Sequence, residues 1–326
     1  GSGAGLSNTT GNQNIAIGLD AMGGPTTTGD NNIAIGVSAG DALTSGYQNV
    51  LMGGESGGAI NSGYLNTIIG HQAGQALTTG IANTILGWQA GYSLQTGHNN
   101  IFIGRESGYN VTTTIQNVIA IGHGAGKGVM TTGANGSIFM GTGAGHSVTS
   151  GERNLAIGFQ ALNALTVGDD NIALGYQALH DLGTSTFANR NIAIGTYAML
   201  SAANNNINDN VAIGYGALSQ SVHSDGDNNI AIGTEALSDL TAGAEGMVAI
   251  GRQALRRTDH ADSVGIVAVG MNALTSNVSG QGNVAIGYQA LDAEDDGDRN
   301  TAIGYQALTD QTGFSGEVHN TAVGYT

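Results

Sequence analysis

A glycine that closes the motif N-I-A-I-G recurs about every seventeen residues along the whole chain. Its nineteen positions are Gly1, Gly18, Gly36, Gly53, Gly70, Gly87, Gly104, Gly122, Gly141, Gly158, Gly175, Gly195, Gly214, Gly233, Gly251, Gly270, Gly287, Gly304 and Gly324. They enclose eighteen repeats, nine of which are 17 residues long and the rest 18 to 20. So strict a period predicts stacked repeat units in place of one globular core.

Each repeat reads as a short strand followed by turns. In Asn171-Ile172-Ala173-Leu174-Gly175, alternation places Ile172 and Leu174 on one face of a strand and Ala173 on the other. No 3.6-residue periodicity persists, and glycine, asparagine and Thr-Gly pairs punctuate the segments between strands. The pattern predicts an all-β fold, a parallel β-solenoid of about eighteen coils arranged strand–turn–strand–turn.

Two further columns have structural explanations. The residue four before the motif glycine is asparagine in fourteen repeats: Asn14, Asn32, Asn49, Asn66, Asn83, Asn100, Asn154, Asn171, Asn191, Asn210, Asn229, Asn283, Asn300 and Asn320. Stacked asparagines form amide ladders and hold tight turns, so we favour a structural ladder over a ligand site. A second glycine, seven before the first, is expected to supply a turn with positive φ at Gly11, Gly29, Gly46, Gly63, Gly80, Gly97, Gly151 and Gly168.

The array changes character near residue 158. Four residues after the motif glycine, 1–158 carry mainly glycine, whereas 159–326 carry Leu162, Leu179, Met199, Leu218, Leu237, Leu255, Leu274, Leu291 and Leu308. These large side chains enlarge either the core or an interface. We predict one continuous solenoid with two sub-regions. Both ends fall within a repeat, so we expect a segment of a longer fibrous protein.

The strands are apolar on both faces, with large residues on one face and small ones on the other. One seventeen-residue coil has a single thin interior, and strands apolar on both sides are normally covered on both. The remaining face is therefore predicted to meet another chain. The small alanine column suits close backbone approach, either inside the coil or between subunits.

Composition limits the partners. Eight Lys and Arg stand against 24 Asp and Glu, and the resulting charge of −16 disfavours binding to nucleic-acid phosphates. The chain has no cysteine and no long apolar run, so we expect neither disulfides nor membrane insertion by this segment.

Catalytic and metal motifs are weak. Ser219, His223 and Asp225 lie in one variable loop without the context of a nucleophile, so we expect no enzymatic activity. The eight histidines show no metal-binding spacing, although a threefold axis could gather copies of one of them. Acidic loops offer carboxylates for Ca²⁺ without any recognised calcium motif; they contain Asp225, Asp227, Asp292, Glu294, Asp295, Asp296 and Asp298.

The segments 283–291 and 300–308, which read N-[VT]-A-I-G-Y-Q-A-L, resemble the head repeats of YadA-like trimeric autotransporter adhesins. They are also similar to repeat arrays of phage tail fibres. This resemblance implies a left-handed parallel β-roll, a parallel homotrimer, and attachment at a cell surface or virion outside the cell. A purely structural spacer is the alternative within the same architecture.

Five long inserts are the predicted binding face, because per-repeat insertions in repeat proteins tend to fall on one face. They span 182–190, 202–209, 219–228, 256–264 and 311–319. Aromatic rings stack on sugar faces and arginine pairs with carboxylates, so a surface glycan is the preferred ligand. The candidate ligand-binding residues are Phe187, Arg190, His223, Arg256, Arg257 and His260.

Paired hydroxyl residues precede the turn glycine in the first half, as at Thr27-Thr28, Thr44-Ser45 and Thr78-Thr79. A stacked threonine row orders water, which makes ice binding a second functional hypothesis. Adjacent residues point to opposite faces, however, so only one of each pair faces outward. Turn formation explains the pairs more simply.

Overall fold

The computed structural model describes residues 2–111, 114–181, 188–201, 207–221, 226–240, 245–258, 263–294, 296–311, 316–317 and 319–326. These residues form two compact units, Gly1–Phe159 (unit 1) and Gln160–Thr326 (unit 2). Among the described residues, the one helical segment is a 3-10 turn at Thr132–Ala134. Both units are therefore all-β, as the repeat pattern predicts.

Unit 1 contains nine strands of three residues, one in each coil. They are Ile15–Ile17 (β1), Ile33–Ile35 (β2), Val50–Met52 (β3), Thr67–Ile69 (β4), Thr84–Leu86 (β5), Ile101–Ile103 (β6), Ile119–Ile121 (β7), Ile138–Met140 (β8) and Leu155–Ile157 (β9). Each strand pairs in parallel with the next, and equivalent residues lie opposite one another, as Ile33 lies opposite Val50. The predicted parallel β-solenoid is confirmed in this unit.

Unit 2 follows the same plan and adds short strands on another part of the coil. Its strands are Ile172–Leu174 (β10), Ile192–Ile194 (β11), Val211–Ile213 (β12), Gln220–Ser221 (β13), Ile230–Ile232 (β14), Asp239–Leu240 (β15), Val248–Ile250 (β16), Arg257–Thr258 (β17), Val267–Val269 (β18), Val284–Ile286 (β19), Gly297–Asp298 (β20), Thr301–Ile303 (β21), Gly316–Glu317 (β22) and Thr321–Val323 (β23). The three-residue strands form one parallel ladder, with Ala173 opposite Ala193.

The predicted second strand of each coil is reduced to two-residue strands or isolated bridges, such as Tyr64 with Ile81. Positive φ values explain this reduction, because they recur two and four residues after the motif glycine and five before it. In one unit 1 coil they occur at Glu55, Gly57 and Leu65. Left-handed residues interrupt extended backbone, so most of the coil outside the main strand consists of turns.

The small strand face lies inside the coil. The central alanines Ala34 and Ala173 are 0% exposed, whereas the flanking Ile33 and Ile35 are only half-buried. The first and third residues of each three-residue strand point outward in the same way, and we call these residues the outer strand face. This arrangement decides between the two positions left open for the alanine column.

The motif glycine is required by both conformation and space. Gly36 has φ of +138°, and a Cβ added there would lie 2.5 Å from the carbonyl oxygen of Gly53 in the next coil. The same conformation and contact recur at Gly70, where φ is +140° and the distance to Gly87 O is 2.4 Å. No side chain fits between two backbones this close, which explains the uninterrupted period.

The second glycine column does not have the predicted positive φ. In the structure, φ lies outside the left-handed region at Gly11, Gly29, Gly46, Gly63, Gly80, Gly97 and Gly168. Space explains these glycines instead, since a Cβ on Gly29 would lie 1.8 Å from Gly46 O. The left-handed residue of this turn comes two positions later, at Asn31 with φ of 60° and at Gln48 with φ of 55°.

The leucine column of unit 2 lies in the core and not at an outer surface. Leu179 and Leu274 are 0% exposed, although each has a left-handed φ of 52°. Left-handed backbone costs roughly 1–2 kcal/mol for such a residue, while burying leucine contributes about 1.5–3 kcal/mol. Burial therefore slightly outweighs the strain.

Unit 1 fills the same space from the strand. Where the residue four after the motif glycine is itself a glycine, the central residue of the preceding strand is usually larger than alanine. Examples are Leu51, Ile68 and Phe102, all of which are 0% exposed. A Cβ added to Gly74 would lie 3.0 Å from the Cδ1 atom of Ile68. Large side chains from the strand centre in unit 1 and from the leucine column in unit 2 thus fill equivalent space in the core, at the close packing typical of protein interiors.

Candidate functional site

The asparagine column forms a ladder inside the coils. Asn66 Nδ2 donates to Asn49 Oδ1 at 3.0 Å and to Gly80 O at 2.8 Å. Asn66 Oδ1 accepts from the backbone nitrogen and from Nδ2 of Asn83, both at 3.0 Å. Two donors and two acceptor sites exhaust the capacity of an amide, so Asn66 has none left for a ligand.

Burial is the same along most of this column. Twelve of its asparagines are at most 1% exposed: Asn32, Asn49, Asn66, Asn83, Asn100, Asn154, Asn171, Asn191, Asn210, Asn229, Asn283 and Asn300. Asn14 is half-buried and Asn320 is exposed. Where another residue replaces asparagine in this column, the asparagine of the preceding coil still accepts a hydrogen bond from that residue's backbone nitrogen. Asn100 Oδ1 accepts from Val118 N at 3.0 Å in this way. Ser137 accepts from Asn154 N at 3.2 Å in the same manner.

The arginines proposed as ligand contacts are engaged within the chain. Arg190 holds Asp209 through two bonds, Nε to Oδ1 at 2.6 Å and Nη2 to Oδ2 at 2.7 Å, which lowers the pKa of the Asp209 carboxyl. Arg256 Nε lies 3.6 Å from Asp239 Oδ2. Arg257 is exposed in β17. Phe187, His223 and His260 lie outside the described residues.

In unit 2, residues at or just before several of the predicted inserts pair with one another across successive coils. Ser201 pairs with Gln220, Gln220 with Asp239, and Asp239 with Arg257, all in parallel. Asp181 continues the row by pairing with Ser201. We call these five residues the loop edge. The five residues occupy equivalent positions in five successive coils, and the segments that follow them, 182–187, 202–206, 222–225, 241–244 and 259–262, lie outside the described residues.

A shallow cleft of about 250 Å³ lies beside the loop edge. Tyrosine rings, hydroxyls and charged groups line it: Tyr197, Leu200, Tyr215, Gly216, Ser219, Gln220, Glu235, Ser238, Asp239 and Arg256. Ser219 Oγ donates to Ser238 O at 3.4 Å, so this hydroxyl bonds backbone of the next coil. Its suggested catalytic partners, His223 and Asp225, are outside the described residues.

The acidic loop of unit 2 uses its carboxylates as hydrogen-bond acceptors. Glu294 is 0% exposed and accepts from Gly297 N and Gln311 Nε2, both at 2.6 Å. Asp298 accepts from Gln281 N at 2.8 Å. Burial raises the pKa of the Asp292 carboxyl. No group of three metal-binding side chains is found in the part of the chain that the structure describes, which leaves out Asp225 and Asp295.

The threonine pairs hold coils together. Thr27 Oγ1 donates to Leu43 O at 3.0 Å, Thr44 Oγ1 to Asn61 O at 2.9 Å, and Thr78 Oγ1 to Gln95 O at 3.0 Å. In each bond the hydroxyl hydrogen points at backbone of the following coil. This geometry fits the turn explanation, because the donor is used within the protein.

Sequence reasoning missed a mixed aromatic and charged cluster in unit 1. The Arg105 guanidinium lies 5.3 Å from the ring centroid of Trp88, within cation–π range. Lys127 Nζ lies 2.5 Å from Glu106 Oε2 and 5.7 Å from the Tyr109 ring, and its bond lowers the pKa of Glu106. These residues belong to successive coils, so only in-register stacking brings them together.

Comparison of the chain with models of known protein families gives no match, and comparison with curated proteins gives none either. Within the described ranges, no helix has the length and apolar character needed to cross a bilayer.

Proposed function

We propose that this chain is a structural and adhesive segment of an extracellular fibre, such as a surface adhesin or a phage tail fibre. The supporting observation is that each unit repeats one coil with a complete internal core, yet leaves the outer strand face apolar and partly exposed. Ile17, Ile157 and Ile250 on this face are 56%, 40% and 37% exposed. A repeated surface of this kind suits assembly of long, identical contacts.

The proposed assembly is a parallel homotrimer that buries the outer strand face. Each isoleucine removed from water contributes at about 25 cal/mol per Å² of apolar area, and the same two columns recur in every coil. Three copies of one chain would place equivalent columns together around a threefold axis. The left-handed coil and trimeric state implied by the resemblance to adhesin and tail-fibre repeats belong to this proposal.

Two charged substitutions test the assembly. Ile286 and Ile303 occupy the third position of neighbouring strands and are 38% and 37% exposed. We expect the native mass of the chain to equal three copies, and Ile286→Lys with Ile303→Lys to reduce it, because six ammonium groups would meet in a dry interface. Circular dichroism should still show β structure.

Gln95→Lys provides a control, since Gln95 is exposed outside the strands and the charge change is the same per site. This variant should keep the mass of three chains. A wild-type chain of single-copy mass, or a double variant that remains trimeric, would contradict the proposed interface.

The proposed binding surface is the loop edge of unit 2 together with its cleft. Because Arg190 and Arg256 are held by Asp209 and Asp239, recognition would depend on hydroxyls, amides and exposed tyrosines rather than on free positive charge. Those groups suit the hydroxyls and apolar faces of sugars. Equivalent edges on three chains would bind one glycan surface by many weak contacts.

Shortening the inserts distinguishes adhesion from spacing. We expect deletion of 182–187 and 202–206 to reduce attachment to a glycan array or to host cells at least tenfold, with the native mass unchanged, because repeated weak sites act together. Shortening the 19-residue coil between Gly122 and Gly141 to 17 residues is the control, since it changes unit 1 alone. Undiminished attachment after the first deletion would identify this chain as a spacer.

A further inference from the structure

Every tyrosine of the chain contacts another tyrosine. The sequence contains ten tyrosines, and all ten take part in six ring contacts. The contacts join Tyr47 with Tyr64, Tyr92 with Tyr109, Tyr176 with Tyr197, Tyr197 with Tyr215, Tyr288 with Tyr305, and Tyr305 with Tyr325. Partners lie in successive coils, so the repeat converts a spacing of 17 to 21 residues into ring contact.

Four of these contacts are parallel stacks. The ring centroids of Tyr47 and Tyr64 are 4.6 Å apart, with an angle of 8° between the planes. Tyr92 and Tyr109 are 5.2 Å apart at 15°. The contacts of Tyr305 with Tyr288 and Tyr325 are 5.0 Å at 18° and 5.2 Å at 8°. The two contacts of Tyr197 are edge-to-face, at 86° and 76°.

The stacks occupy different positions in the coil. Tyr47 and Tyr64 come six residues before their motif glycines, Tyr92 and Tyr109 five after, and Tyr305 one after. A single tyrosine-preferring column therefore does not explain the pairing. Tyr47 and Tyr305 are 41% and 45% exposed, so an oxidant in solution reaches one partner of these stacks.

We propose that the stacked tyrosines are sites of oxidative cross-linking, at which dityrosine bonds join successive coils. The chain has no cysteine, so disulfides cannot supply such a link. The proposal rests on ring geometry alone and is independent of the trimer and of glycan binding. The required oxidant is hydrogen peroxide acting through a haem peroxidase.

The reaction balances as a two-electron oxidation. Each phenol loses one electron and its hydroxyl proton, which leaves a radical with unpaired density on the ring carbons next to the C–OH carbon. Two such carbons form one carbon–carbon bond, and each then releases its hydrogen as a proton while its ring oxygen regains one. The pair loses two hydrogens overall, and one hydrogen peroxide accepts them to become two waters.

Stacking favours this bond because the unpaired electrons occupy orbitals perpendicular to the rings. In the stack of Tyr47 with Tyr64, the centroids are 4.6 Å apart and the planes differ by 8°, so these orbitals on the two rings are nearly parallel. In the edge-to-face pairs of Tyr197, the two sets of orbitals are nearly perpendicular. The four stacked contacts should therefore couple before the two edge contacts.

The test is oxidation of the dilute, folded chain with a haem peroxidase and hydrogen peroxide, followed by proteolysis and mass spectrometry. We expect linked peptides that join Tyr47 to Tyr64 and Tyr92 to Tyr109, each two hydrogens lighter than its parts. The initial rate per chain should not change over a tenfold range of protein concentration. The oxidised chain should also unfold at a higher urea concentration, because a closed loop restricts the unfolded state.

Tyr64→Phe is the matched variant, since it keeps the aromatic stack and removes one phenol. It should abolish the link to Tyr47 and leave the Tyr92–Tyr109 link at its wild-type yield. Equal yields from folded and urea-unfolded chain would overturn the proposal. So would links dominated by tyrosines of non-neighbouring coils, or an initial rate per chain that rises in proportion to chain concentration.

Discussion

Replacing Gly70 with alanine should destabilise unit 1 by more than about 4 kcal/mol, enough to separate neighbouring coils. Gly70 has φ of +140°, and the new Cβ would lie 2.4 Å from Gly87 O and 2.7 Å from Gly87 C. Both contacts are to backbone, so no side-chain rotation relieves them. The measurement is the midpoint of chemical unfolding at fixed protein concentration.

Gly246→Ala separates conformational strain from the clash. Gly246 has φ of +68°, and a Cβ there meets nothing within 4 Å. Its substitution should cost only the roughly 1–2 kcal/mol of left-handed backbone. If Gly70→Ala proved no more harmful than Gly246→Ala, close coil contact would not be the reason for the seventeen-residue glycine.

Replacing Asn66 with alanine should cost about 3–5 kcal/mol, because it leaves several buried groups without partners at once. Gly80 O would lose a donor at 2.8 Å, and Asn83 N would lose an acceptor at 3.0 Å. Hydrogen exchange should show protection falling first at the amide of Asn83, since that amide bonds the deleted oxygen.

Asn66→Ser is the conservative comparison, because Ser137 fills this column naturally. Its hydroxyl accepts from Asn154 N at 3.2 Å and donates to Gly151 O at 3.3 Å. The serine variant should therefore recover about half of the loss, while Gln95→Ala at an exposed position outside the strands should change stability little. An alanine variant as stable as wild type would show that the ladder does not support the fold.

The repeat period by itself was sufficient to predict the coil and its parallel in-register strands. These features are local and recur, so an error in one repeat is corrected by seventeen others. A motif glycine every seventeen residues and an asparagine four before it leave few ways to stack identical units. The ligand and the site of attachment have no such repeated signal.

Which side chains contact each other became clear only from the three-dimensional structure, in which the turns close each coil. Alternation separates Ala173 from Ile172, but either face would satisfy a strand until the turns close the coil around the alanine. The leucine column could have served core or interface, and it packs inside because the strand centre of unit 2 is small. Likewise, arginine pairing to aspartate and tyrosine stacking join residues of adjacent coils. Their distances depend on coil length and turn conformation, which a linear pattern does not contain.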